Sequence, residues 1–141
     1  MKNDLILQKT NLIKHSINRV FEVYENNYNT LNDETKQESI LLNIQRACEA
    51  SIYIGMHIVT ERRLGLPQNS HDAFQFLQEN NIISEDMSSR MRVMVDFRNT
   101  IVHNYQSIEL DYLHEIIEKH LINFTTFTKC IIKDLSSNEN Y

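Results

Sequence analysis

Between Asp33 and Pro67 the chain reads DETKQESILLNIQRACEASIYIGMHIVTERRLGLP. Leu41, Ile44, Cys48, Ile52 and Val59 recur at the spacing that lines up one face of an α-helix. Ala47, Ser51 and Gly55 lie beside that stripe, small enough for a second helix to approach closely. Asp33 and Glu34 suit the electropositive start of a helix, and Arg62 and Arg63 suit its electronegative end. Gly65 is the natural residue just past that end, and Pro67 blocks continuation. The stretch therefore predicts one long helix from Asn32 or Asp33 to Leu64. The rest of the chain is almost free of punctuation, since 141 residues hold only 2 Gly and 1 Pro. Turn-rich β architectures need far more. An all-α fold is predicted.

The same spacing extends in both directions. Ile6, Ile13, Ile17, Val20 and Tyr24 mark a first helix from about Asp4 to Asn27, followed by an asparagine-rich turn. Beyond Pro67, Ser70 is read as the cap of a short helix through Glu79, with Ala73, Phe74 and Leu77 on its apolar side. Ile82 and Ile83 tie a linker to the core. Ser84 caps a fourth helix, with Glu85 and Asp86 in its first turn. Its stripe is Met87, Met91, Met94, Val95, Arg98, Ile101 and Val102, in which the methionines are core filler. A last helix from about Ser107 to Leu135 repeats Leu110, Leu113, Ile117, Leu121, Phe124, Thr128, Ile131 and Leu135 in near-heptad rhythm. The expectation is one domain, residues 1–135, in a bundle of about five helices. Residues 136–141 are read as a flexible polar tail.

Composition narrows the function. The net charge is −5, which excludes bulk electrostatic binding of nucleic acid but not a local basic cleft. Met87 to Tyr105 is such a stretch, with Arg90, Arg92 and Arg98 against Asp96 alone. Cys48 and Cys130 lie in apolar periodic segments and read as buried free thiols of a reducing compartment. No apolar run reaches membrane-spanning length, and no signal peptide is visible, so a cytoplasmic protein is expected. None of the six histidines has zinc-ligand spacing. Arg46 and Glu49, three apart, are read as an ordinary ion pair.

Chemistry concentrates in residues 98–105, Arg-Asn-Thr-Ile-Val-His-Asn-Tyr. Arg is permanently charged and presents a planar fork suited to phosphate. His is the usual general acid or base near neutral pH. Arg98 falls on the packed stripe of its helix, where an unpaired charge is costly. It needs an anion, either a carboxylate such as Glu49 or a bound phosphate. His103 lies about 140° further around the helix, so the two side chains splay apart. They converge only if the helix ends near Val102, with Asn104 as a left-handed terminal residue, or if a second copy completes the site. Asn99, four before His103, can touch it or a phosphate oxygen.

The pattern of Arg98, four residues, His103, one residue and Tyr105 resembles the HEPN signature in the form used by HepT-like toxins. The likeness extends through Gln45 to Ile52, Leu64 to Pro67, Ala73, Phe74 and Leu77, and Phe97 to Asn99, covering about residues 4 to 135. It implies a homodimeric HEPN-like helical bundle. It also implies a metal-independent endoribonuclease toxin that cleaves RNA without a cofactor. The implied partner is a minimal nucleotidyltransferase antitoxin of the MntA type, which silences the toxin by adding AMP to the motif tyrosine. By the resemblance Arg98 and His103 are catalytic, Asn99 is a supporting polar residue, and Tyr105 is the modified position. Asp96 departs from the small residue many relatives carry there.

On this reading, two copies of Arg98 and His103 form a cleft. One His takes the proton of the ribose 2′-OH, and the other, or an ordered water, protonates the leaving 5′ oxygen. Arg98 stabilises the charge that develops on the phosphate. Two alternatives stand beside it: a non-catalytic nucleotide- or partner-binding subunit of a nucleotidyltransferase, and a purely structural helical dimer.

Overall fold

The structure is a computed structural model and describes residues 3–139. Its helices are α1 (Asp4–Tyr24), α2 (Glu34–Glu61), α3 (Ser70–Glu79), α4 (Glu85–Asn104), α5 (Leu110–Glu115) and α6 (Ile122–Glu139), with no strand among the described residues. Short 3-10 turns at Tyr28–Asn32 and Tyr105–Ser107 flank α2 and α4. A π turn, Ile116–His120, joins α5 to α6, and its flanking residues keep right-handed helical backbone. The last two helices are therefore one long helix with one turn widened. The expected count of about five helices holds in that sense. No described helix is long and apolar enough to cross a membrane.

The first helix buries all five stripe residues, Ile6, Ile13, Ile17, Val20 and Tyr24. It lies along α2, which packs in turn against α3 and α4, while α6 closes against α1 and α4. Because α2 is covered from several sides, its buried set is wider than one stripe and includes Ile40, Ile54 and Ile58, with Ile52 at the margin. Gly55 sits where α3 crosses. A Cβ there would meet the Ala73 Cβ at 3.3 Å and Leu77 Cδ1 at 3.7 Å, so the small side of α2 does set the close approach. Phe74 and Phe127 meet edge to face, with ring centroids 5.6 Å apart, and both are fully buried. The three methionines of α4 are core residues as expected, joined by Phe97, whereas Val102 is exposed.

Several ends differ from the sequence-based expectations. The second helix stops at Glu61, and Arg63, not Gly65, takes the left-handed residue at φ 55°. Leu64 N–H then donates to Val59 O at 2.9 Å and Arg63 N–H to Thr60 O at 3.3 Å, the paired bonds of a Schellman ending. Gly65 answers a different need, because a Cβ there would overlap the Phe76 ring at 2.6 Å. The third helix is capped by Asn69, whose side chain accepts from Asp72 N–H, and not by Ser70. It ends in a second Schellman pair at Asn81, φ 61°, with Ile82 N–H donating to Leu77 O. Ser84 does cap α4, accepting from Met87 N–H at 3.0 Å. The expected tail is helical through Glu139, and residues 140–141 lie outside the described residues. Cys48 is buried and Cys130 only half-buried, and both are free thiols.

Candidate active site

The start of α3 and the middle of α4 leave between them a pocket of about 370 Å³. Asn69, Ser70 and His71 line it from α3, and Asp96, Arg98 and Asn99 from α4. The cap at Asn69 turns the first residues of α3 towards α4, and the Ser84 cap fixes where α4 begins. The pocket carries hydrogen-bond donors, one permanent cation and the electropositive end of a ten-residue helix.

Arg98 is held there but not satisfied. Its side chain is 21% exposed, with Nη1 3.8 Å from Glu49 Oε2 and Nη2 3.5 Å from Ser70 Oγ, both long contacts. Its Nε is buried and has no partner. Glu49 is 48% exposed, so a screened pair at that distance is worth at most about 1 kcal/mol. An orphaned buried N–H costs about 1–3 kcal/mol. The expected need for an anion is thus only partly met by the protein. Glu49 faces Arg98 rather than forming the expected pair with Arg46. Beneath Arg98, Cys48 Sγ donates to Met94 O at 3.4 Å. Burial pushes the Cys48 thiol well above its ordinary range, outweighing the opposing pull of the Arg98 charge, so Cys48 is a packing residue and no nucleophile.

Asp96 is not a bare acid beside the arginine. His71 Nε2 lies 2.8 Å from Asp96 Oδ1, joining α3 to α4 across the pocket mouth. Sequence reasoning missed His71. Twenty-five residues separate it from Asp96, and no spacing rule sets how α3 folds back onto α4.

His103 and Tyr105 lie elsewhere on the same helix end. The fourth helix runs through Asn104, whose φ of −162° is extended and not left-handed. The early ending that would have swung His103 towards its own Arg98 is therefore absent. His103 is exposed and does not line the Arg98 pocket. Asn99 does line it, one turn before His103. Tyr105 opens the following 3-10 turn, is 44% exposed, and lines a separate groove of about 340 Å³ with Leu41, Leu42 and Ile101, rimmed by Glu38 and Gln45. Within one chain Arg98 and Asn99 line one pocket, and neither His103 nor Tyr105 lines it.

Comparison with known proteins agrees with this architecture. The family model for ribonuclease HepT-like proteins matches residues 13–131. The chain belongs to that family. It is 40% identical over 129 residues to the mRNA nuclease HepT of Shewanella oneidensis, covering 92% of this chain and 97% of that protein. Among solved structures, a toxin-antitoxin complex with AMP-PNP superposes with a TM-score of 0.89 at 39% identity, covering 93% of this chain and 99% of that one. A tri-AMPylated Shewanella oneidensis HEPN toxin in complex with its MNT antitoxin gives 0.89 at 40% identity, covering 93% and 98%. The cytosolic protein YutE of Bacillus subtilis shares the fold at a TM-score of 0.82 and 15% identity, covering 94% of this chain and 90% of that one. The HepT-like fold is thus shared well beyond the range of sequence likeness, whereas the toxin relatives match it in both.

Proposed function

We propose that this HepT-like chain is a metal-independent endoribonuclease, the toxin of a toxin–antitoxin pair in the cytoplasm, silenced when a nucleotidyltransferase antitoxin of the MntA type adds AMP to Tyr105. The observation that carries the reading is Arg98, a guanidinium with a buried unpartnered Nε in a polar pocket, poised for an anion that Glu49 supplies only in part. Phosphate fits that need, because the guanidinium fork matches its oxygens and the start of α3 adds a favourable field.

The chain acts as a homodimer. His103 does not line its own Arg98 pocket, and the Arg98 and His103 side chains leave a helix that continues through Asn104 about 140° apart. His103 of one copy therefore completes the pocket of the other. Arg98 and Asn99 hold the phosphodiester, and Arg98 stabilises the charge that grows on its oxygens. His103 moves a proton between the reacting oxygens, and the ribose 2′-OH is the nucleophile. AMP on the exposed Tyr105 adds a negative phosphate and a base next to His103, opposing RNA by charge and by bulk. The related toxin solved with its antitoxin in a tri-AMPylated form supports this control point.

His103→Ala lowers RNA cleavage about 10²-fold or more. Because His103 is exposed in the single chain, helicity is unchanged. Wild-type cleavage survives excess chelator, spares an RNA analogue that lacks the 2′-OH at the cut, and leaves a 2′,3′-cyclic phosphate. A His103→Ala protein that cuts at the wild-type rate overturns the assignment, and loss of wild-type activity in chelator overturns the mechanism.

A further inference from the structure

The pocket that holds Arg98 carries an imidazole other than His103. His71, the second residue of α3, lines it, and its Nε2 is 2.8 Å from Asp96 Oδ1. This joins a histidine to a carboxylate at the mouth of an arginine pocket. Both side chains are exposed, at 41% and 66%, and the carboxylate orients the ring rather than locking it. With Nε2–H donated to Asp96, the lone pair of Nδ1 remains available, and the carboxylate stabilises the imidazolium that forms when Nδ1 takes a proton. Other charged groups around His71 are consistent with such a role. Arg98 shares the pocket, Glu49 on α2 faces Arg98, and Asp72 is turned to the backbone N–H of Gln68. Asp96 and His103 are seven residues apart and lie within about 20° on one side of α4, so the Asp96 pair and His103 present to the same surface.

We propose that His71, oriented by Asp96, is the general base of the ribonuclease site, acting opposite His103 of the other copy as general acid. The inference rests on the ribonuclease reading above and supplies its second proton carrier. His71 Nδ1 takes the proton of the ribose 2′-OH. The 2′ oxygen forms its bond to phosphorus as the bond from phosphorus to the 5′ oxygen breaks. His103, entering as imidazolium, gives its proton to that leaving oxygen. The products are a 2′,3′-cyclic phosphate and a 5′-OH, with His71 charged and His103 neutral until solvent exchanges their protons. Arg98 and Asn99 hold the phosphate between the two rings. Asp96 is then the partner that His71 requires and not a flaw in an anion site.

The test is the pH–rate profile of RNA cleavage by the full-length chain, with thermal melting measured in parallel. The wild type first has to cleave and leave a 2′,3′-cyclic end; if it does not, the ribonuclease reading fails before His71 is questioned. Given that activity, His71→Ala lowers kcat about 10²-fold and abolishes the rise in rate on the acidic limb. Asp96→Asn causes a smaller fall in kcat with KM unchanged and displaces the same limb. A His71→Ala protein with wild-type kcat overturns the proposal. So does one that loses activity in proportion to its melting temperature while keeping the acidic limb, because His71 would then serve only to join α3 to α4.

Discussion

Arg98 was legible in sequence as a charge on the wrong face of a helix, and the structure shows why the argument holds. A side chain anchored at 21% exposure with long contacts to Glu49 and Ser70 is positioned but incompletely paired. Its chemistry depends on the fork and not on charge alone. Arg98→Lys therefore keeps the fold but lowers kcat about 10²- to 10³-fold, the loss that follows removal of one positioned donor to a developing oxyanion. Steady-state cleavage of a defined RNA checks this; a mild KM effect with kcat intact would reduce Arg98 to a docking charge. Tyr105 yields a different outcome. At 44% exposure, its hydroxyl is open to a partner enzyme. Tyr105→Phe retains cleavage but accepts no AMP from the cognate nucleotidyltransferase with ATP, read by intact-mass spectrometry. AMP on another residue would overturn the control point. His71 was not legible at this scale. A histidine beside a helix cap carries no mark of its role until α3 is laid across α4.

At the scale of elements, apolar spacing placed every helix and misjudged several ends. Periodicity reports which residues are buried, whereas an end is decided by which residue adopts the left-handed backbone. Arg63 and Asn81 do so here, and Gly65 is instead required by the Phe76 ring. The near-heptad rhythm of the last helix also reads through the π turn at Ile116–His120, where Ile116 and Ile117 are both buried. Tyr24 anchors that region, its hydroxyl 2.6 Å from His114 Nδ1, while Tyr28 donates to Asp111. The crossing of α2 and α3 bears most directly on the Arg98 pocket, because Asn69, Ser70 and His71 line it from the α3 side. Gly55→Leu has to be accommodated where a Cβ alone already lies 3.3 Å from Ala73. Overpacking there costs about 1–3 kcal/mol of stability and shifts α3, so thermal melting falls and KM for RNA rises together. Unchanged melting would mean that the two helices yield without strain.

At the scale of the whole molecule, the proposed site draws on two copies of the chain. The sequence already showed the splay between Arg98 and His103, and α4 continues through Asn104 without the early ending that would reduce it. What sequence could not supply is the surface that pairs two copies, since exposed residues carry no periodic signal. Mixed dimers test the arrangement. Arg98→Ala and His103→Ala proteins are each inactive as homodimers. When they are co-expressed, the heterodimer joins the Arg98 pocket of one chain to His103 of the other, giving one intact site and one that lacks both groups. Random pairing of equal amounts makes half the dimers mixed, so activity returns to about a quarter of wild type under two-fold symmetry. If Arg98 and His103 acted within one chain, both sites of every heterodimer would be crippled and the mixture would stay inactive. Sedimentation showing only monomer at micromolar concentration would leave the composite cleft without a basis. Recovery of activity on mixing, with neither parent active, requires that each site draw its arginine and its histidine from different copies.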